Sequence, residues 1–447
     1  MARGKSGVAW TLRMWPRALL GGTVAILSVA AMVLQAAAQD VTITFMHWGT
    51  QEYADRYRAL IEAFEAKNPG IKIEQLHTPE GYPEKLRAMF AGGTPPDTFI
   101  LDMQETAYFA QFDLLVDLRP LAERDPEYRF EELNPLAVDI MSSGGRVLGL
   151  PADTGPNVYF YNATMFDEAA LPYPDRQYQS GGWTWTDFRE AALKLTRRQG
   201  DGSPVVMGAA VHRGGALHRL WMWSNGAPEF DDIKVPTESL YHTPASIETF
   251  EFLQALLHVD RVATVSNADI GNQDPSPAFA SGRLAMMARW TTGISYLADS
   301  DVLFGIAPYP KGPGPEGRHA ADFATSGYAI AKSARHQEAA WRWVAFASSA
   351  EGQAIIPGSE GPSLPSRRGI EVTFLPPNMV NPEFFIETIM LPANGNHVRL
   401  LARDQAEIHR IINSELNLIW NNQAAPATVL PRITERVNLF LQEWPQH

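Results

Sequence analysis

The chain has 447 residues, 45% of them apolar, with 37 basic and 50 acidic side chains and a net charge of −13 at pH 7. So long a chain exceeds one hydrophobic core and implies two units of roughly 150–200 residues, while the acidity makes nucleic acid and anionic membranes poor partners. Cysteine is absent, which excludes disulfides, thiolate metal sites, a cysteine nucleophile and a lipid-bearing cysteine.

Arg3, Lys5, Arg13 and Arg17 precede an apolar run over residues 18–34, which ends in Ala36-Ala37-Ala38. A charged start, an apolar stretch and a small-residue exit read as a secretory leader over residues 1–38, cleaved after Ala38. An uncleaved anchor is the alternative, since the run approaches the length of a span. Cleavage lowers the basic count to 33 against 50 acids, a net of −17, and implies an exported protein in the periplasm or at the cell envelope.

Residues 41–45, VTITF, alternate as a strand does, and Met46-His47-Trp48-Gly49-Thr50-Gln51 follow. Tyr53, Tyr57, Leu60, Ile61 and Phe64 recur at helical spacing up to Asn68-Pro69-Gly70. A second strand over 71–76, a short helix over 84–91 and a third strand over 98–101 ending at Asp102 complete a β-α-β-α-β pattern. That alternation predicts a parallel α/β sheet with its ligand beyond the strand carboxyl ends, where Trp48, Gln51 and Asp102 fall. Residues 145–162, GRVLGLPADTGPNVYFYN, then read as a strand, a crossing broken by Pro151, Asp153 and Gly155-Pro156, and another strand. A crossing between lobes would turn Asp153, Thr154 and Asn157 toward a crevice; an ordinary interior loop is the other reading.

Further on, Thr184 and Asp187 resemble a capping box for a helix carrying Phe188, Ala191, Ala192 and Leu195. Thr243-Pro244 opens another helix, residues 284–290 and 304–307 read as strands, and residues 337–348 and 402–420 read as helices. The run 312–317, GPGPEG, is either a surface loop or a second crossing between lobes.

Several blocks then stand in a recognisable order: FEAKNPGIKIE, AGGTPPD, GRVLGLPAD, YFYNATMFDEAALP, WTWTDFREAALKL, AFASGRLAMMARW, GIAPYPKGPG, SGYAIAKSARHQEAAWRWVAFASSAEGQ and GPSLPSR. Together they resemble the family 1 extracellular solute-binding proteins of ABC importers, the maltose- and glycerol-3-phosphate-binding group. The resemblance implies an α/β, two-lobed periplasmic-binding-protein fold of type II character, each lobe a mainly parallel sheet flanked by helices, with a hinge between. It places 39–153 and about 274–322 in the first lobe, and 154–273 and about 323–447 in the second. It also implies a monomeric, non-enzymatic carbohydrate carrier for a membrane permease, without cofactor. A polyol or glycerophosphate-type ligand is the alternative within the class.

Sugars present apolar C–H faces that stack on aromatic rings, and hydroxyls that pair with charge-assisted partners. Trp48 and Trp290 match aromatic positions of the family cleft, with core packing as the competing role. Trp221 and Trp223 alternate around Met222, so one of them, Trp223, is the cleft candidate; Trp341 and Trp343 belong to a helix and to packing. Asp102 and Asp153 match positions of sugar-hydroxyl acceptors, with Gln51, Gln104 and Asn157 as neighbours and solvated loop groups as the alternative. Ser326-Gly327 resembles the family turn where backbone nears the ligand, and Arg367 is a candidate for a hydroxyl or an anionic group.

Other chemistry is not encoded. Residues 91–94, AGGT, lack the Gly-Lys-Ser/Thr ending of a phosphate loop, and there is no Gly-x-Ser-x-Gly elbow. His212 and His218 lack a further ligand, so no metal site is expected. A secreted glycoside hydrolase would use similar residues, but no matched pair of acids is evident.

Overall fold

A computed structural model describes residues 40–211, 218–233, 235–264, 274–356, 364–389, 396–397 and 405–443. The leader reading of residues 1–38, as well as His212, lies outside them. Among the described residues no helix is long and apolar enough to cross a membrane.

The first lobe begins with β1 (Val41–His47), α1 (Gln51–Lys67), β2 (Ile71–His77), α2 (Tyr82–Ala91) and β3 (Thr98–Asp102). β1 lies between β2 and β3 and is parallel to both, with His47 opposite His77 and Phe45 opposite Thr98. The Thr50 hydroxyl caps α1 and its apolar stripe buries Tyr53, Tyr57, Leu60, Ile61 and Phe64. β4 (Leu150–Pro151) is the far edge strand, the position where a residue without an N–H does least harm.

The chain then crosses into a second sheet built on β5 (Gly155–Asn162), all eight of whose residues are buried. Next come α3 (Trp185–Leu195), β6 (Pro204–Ala210), α4 (His218–Ser224), α5 (Pro244–Gln254), β7 (Ala263–Thr264), β8 (Leu284–Trp290), β9 (Phe304–Ala307) and β10 (Ala321–Ala324). Both halves of the expected capping box on α3 are present. β8 runs antiparallel along one side of β5, and β9 and β10 share its other side.

β11 (Ser326–Ile330) returns to the first sheet between β3 and β4, antiparallel to both. α6 (Gln337–Ala347) follows it, and its Trp343 meets Phe45 and Phe64 edge-on at 5.1 and 5.3 Å. The chain ends in the second lobe with β12 (Asn396–His397), α7 (Gln405–Trp420) and α8 (Pro426–Glu443), whose apolar sides join the core around Trp221.

The assignment of the later segments to lobes is therefore corrected. Residues 284–290 and 304–307 pair with β5 in the second sheet, whereas residues 326–330 and 337–347 belong to the first. An alternation pattern shows that a strand exists but not which edge accepts it, because pairing is settled by tertiary packing. The run 312–317 lies between β9 and β10 and folds onto Asn225, whose Oδ1 accepts from the Gly314 N–H at 2.7 Å. It is a loop of the second lobe and not a crossing.

Among the described residues, three segments pass between the sheets: 152–154, 324–326 and 364–379. The first is stitched to both others. Ala152 N–H donates to Ser326 O at 2.8 Å, and Thr154 and Leu364 exchange backbone bonds at 2.8 and 3.0 Å.

Candidate ligand-binding cleft

The carboxyl ends of three parallel strands open into one cavity of about 620 Å³. Trp48-Gly49-Thr50 after β1, Pro79–Pro83 after β2 and the Asp102–Glu105 turn after β3 form its walls. A parallel sheet leaves its loops there, so groups on separate strands converge.

Trp48 is half-buried and stands edge-on to Tyr82, with ring centroids 4.9 Å apart and planes at 82°. Tyr82 is fixed in turn, because its hydroxyl lies 2.6 Å from Ile100 O and 3.2 Å from Met46 O, bridging β3 and β1. Burial raises its phenol well above the ordinary range, so it stays protonated. Asp102 caps the turn after β3 by accepting from Gln104 N–H at 2.8 Å, and both residues line the cavity. Glu105 receives two bonds from Arg87, at 2.5 and 2.7 Å, and that guanidinium also lies over Tyr108.

Sequence reasoning places Trp48, Asp102 and Gln104 here and misses Glu80, Tyr82 and Glu105. The strand-end rule already applied to β1 and β3 points to the loop after β2 as well. Gln51 is not among the residues that line the cavity: it opens α1, is exposed, and donates to Asp55 at 3.0 Å.

Asp153 sits in the central crossing. Its Oδ1 accepts from Ser326 N–H at 2.6 Å and from the Ser326 hydroxyl at 2.9 Å, while Thr325 Oγ1 donates to the Asp153 carbonyl at 2.7 Å. Burial pushes this carboxyl up to about 6, against the pull of the Ser326 bonds and with a further push from Asp102. Asp153 and Ser326 are thus partners in joining two crossings. Gly327 has a structural reason for its identity. A Cβ there would stand 2.8 Å from Met141 Cε and 3.1 Å from Leu150 O, so a side chain would press on the β4 backbone, and glycine suits the close packing.

In the second lobe, Trp290 ends β8 half-buried and lies opposite Asn157 in the ladder. Asn157 is sealed; its Oδ1 accepts from the Tyr309 hydroxyl at 2.9 Å, and its Nδ2 has no hydrogen-bond partner among the described residues. Trp223 is buried within the lobe core, beneath the Arg219 guanidinium at 5.6 Å. Arg219 is itself buried and pairs with buried Asp322 at 2.8 Å. Nearby, burial pushes the Glu229 carboxyl up against the pull of Arg219, and Tyr241 donates to Glu229 at 2.7 Å.

Arg367 is also corrected. It is buried in the first lobe, where it donates to the carbonyls of Ser348, Arg129 and Tyr128 at 2.7, 3.1 and 2.8 Å and pairs with Glu132 at 3.0 Å. An interior guanidinium this fully engaged ties segments together and has little left to offer a solute.

The chain belongs to the bacterial extracellular solute-binding protein family, whose profile matches residues 48–354. An arabinooligosaccharide-binding protein of Bacillus subtilis is 24% identical over 308 residues, 66% of each chain. A lactose-binding protein of Rhizobium radiobacter is 26% identical over 286 residues, 62% of this chain and 63% of its own length. The matched part thus falls just short of two thirds of either relative. Among solved structures, an ABC substrate-binding protein of Listeria monocytogenes in complex with cycloalternan superposes with a TM-score of 0.74 at 23% identity, covering 90% of this chain and all of its own. UgpB of Mycobacterium tuberculosis in complex with glycerophosphocholine gives 0.69 at 20% identity, covering 90% and 98%. These likenesses show the two-lobed α/β fold of substrate-binding proteins.

Proposed function

We propose that the protein captures a neutral carbohydrate between its lobes and presents it, chemically unchanged, to the membrane subunits of an ABC importer. It acts as an exported monomer in the periplasm or at the cell envelope, after cleavage behind Ala38. The crossing segments serve as the hinge, and the extent of closure follows from the ligand's preference for the closed form.

The observation that carries this reading is the cavity at the ends of β1, β2 and β3. There the Trp48 ring offers a stacking face beside the carboxylate of Asp102 and the amide of Gln104. Trp290 on the second lobe is the opposing aromatic candidate. The arabinooligosaccharide- and lactose-binding relatives agree with it.

The glycerophosphocholine-bound neighbour raises a second reading, a glycerophosphate-type ligand. Glu80, Asp102 and Glu105 at the cavity oppose it, since like charge repels a phosphate. Arg87 beside the cavity is engaged by Glu105, and Arg289 in the second lobe by Asp274.

Thermal shift and calorimetry with arabino-, lacto- and malto-oligosaccharides, polyols and glycerophosphocholine test the proposal. A neutral sugar is expected to bind one to one, to raise the melting temperature by mass action and to be recovered intact. Selective binding of glycerophosphocholine would favour the second reading, and release of cleaved sugar would favour a hydrolase.

A further inference from the structure

Beneath the Trp48–Gly49 turn lies a stacked pair of histidines, each hydrogen-bonded to the turn, that the ligand-binding reading does not itself require. The two carbonyls of the turn point inward. Trp48 O is 2.7 Å from His47 Nδ1, and Gly49 O is 2.8 Å from His77 Nε2. Carbonyl oxygens only accept, so each of those ring nitrogens carries its proton.

The other nitrogen of His47 fits the same assignment. The Gln75 amide nitrogen is 2.8 Å from Ala54 O and 2.8 Å from His47 Nε2. It donates to both, which leaves His47 Nε2 as the acceptor and fixes one tautomer of a neutral ring. The two imidazoles face each other across the β1–β2 ladder, centroids 5.1 Å apart and planes at 17°. His47 is fully buried against Phe45 and Tyr57. Burial lowers it to about 4, with the neighbouring His77 adding to the effect, in keeping with a neutral His47 ring.

Gly49 completes the arrangement. Its φ of +105° belongs to the region reserved for glycine, and a Cβ there would overlap the Tyr53 ring. The turn is therefore free to adopt its shape only as glycine, and a flexible residue needs an external hold to keep one conformation.

We propose that His47 and His77 are positioning residues for the binding site, which hold the Trp48–Gly49 turn by its two carbonyls and so set the face that the Trp48 ring presents to the ligand. The proposal rests on the reading of the cavity as the ligand site, but its geometric content is tested without any ligand. The test is acrylamide quenching of tryptophan emission in the full-length exported chain. The share of Trp48 is obtained by subtraction of the matching protein that also carries Trp48→Phe.

His77→Ala is expected to raise the quenching constant of Trp48 about twofold, as a half-buried ring gains solvent contact. His77→Gln places an amide N–H where Nε2–H stood and is expected to restore the wild-type value. Near-ultraviolet circular dichroism from the remaining tryptophans verifies the fold. Unchanged quenching in a folded His77→Ala protein would overturn the proposal. Failure of His77→Gln to restore the value would overturn it too, because ring packing and not the bond to Gly49 would then be responsible. Should His77→Ala not fold, His77→Gln alone decides: wild-type quenching supports the hold, and raised quenching refutes it. None of these outcomes depends on which solute is bound.

Discussion

Trp48 in the first lobe and Trp223 in the second both have charged side chains in their surroundings, Asp102 across the cavity from the one and Arg219 over the ring of the other, yet these surroundings are built on opposite plans. Around Trp48 the polar groups border an open cavity, so Asp102 and Gln104 keep their hydration until something displaces it. Around Trp223 the polar groups are sealed. Arg219, Asp322, Asn157 and Glu229 are all buried, and among the described residues Arg219 Nε and Nη1 and Asn157 Nδ2 have no hydrogen-bond partner. The first arrangement trades water for a solute; the second must satisfy itself from within. A list of tryptophans and acids does not separate the two, but the accessibility of their partners does.

That contrast is broken most forcefully at the sealed network. Arg219→Ala leaves buried Asp322 without its guanidinium and is expected to lower the unfolding free energy by about 3–5 kcal/mol, read from urea denaturation. Replacing both charges by Met and Leu should lose less, since no buried charge then stands alone. A loss under about 1 kcal/mol in the single variant would mean that water reaches the pair, making the two lobes more alike than the burial of Arg219 and Asp322 implies.

At the open cavity the order of effects reverses. Trp48→Ala is expected to weaken binding of the sugar selected by the ligand screen by about 1–3 kcal/mol, with a smaller change in melting temperature. A large fall in stability with unaltered affinity would place Trp48 in the core instead.

Asp153 sharpens the comparison, because it lies between the two regions. Its folded-state carboxyl is raised to about 6, so the folded chain binds this proton more tightly than the unfolded chain does. Stability contributed by this group therefore falls as pH rises from about 4 to 6, and the neutral protein carries the deficit. Asp153→Asn retains an oxygen for Ser326 and is expected to gain about 1–2 kcal/mol at pH 7.5, the gain fading below about pH 4. A loss at pH 7.5 would show that the charge itself, through its bonds to Ser326, holds the crossings together. The smallest effect belongs to Gln51→Ala, exposed and outside the cavity lining, where affinity and stability should both stay within about 0.5 kcal/mol.

Much of the first lobe is legible in its amino-acid order. The alternation over β1 and β2, the stripe from Tyr53 to Phe64 and the run ending at Asp102 each state their own period, and the strand-end rule then leads to Trp48, Asp102 and Gln104. Which sheet each of β8, β9 and β11 joins is not legible, because the edge a strand joins depends on partners distant in sequence. Arg367 is opaque for another reason: nothing in PSLPSR distinguishes a guanidinium meeting solvent from one threaded among carbonyls. The roles of Asp153 and Gly327 depend on Ser326 and Met141, neighbours that only the folded chain brings beside them.

The return of β11 to the first sheet has a consequence for biosynthesis. A chain made only as far as residue 153 holds the three parallel strands but not the strand that covers the side of β3, and such an uncovered edge invites pairing with other chains. Residues 326–330 must arrive, followed by α6 with Trp343, before that edge and core can close. The second lobe waits longer still, because its core includes Leu441 near the end of α8. The lobe begun first is thus the first that can be finished, but neither can be finished by a contiguous stretch of nascent chain, and a long unfolded interval is built into the order of the strands.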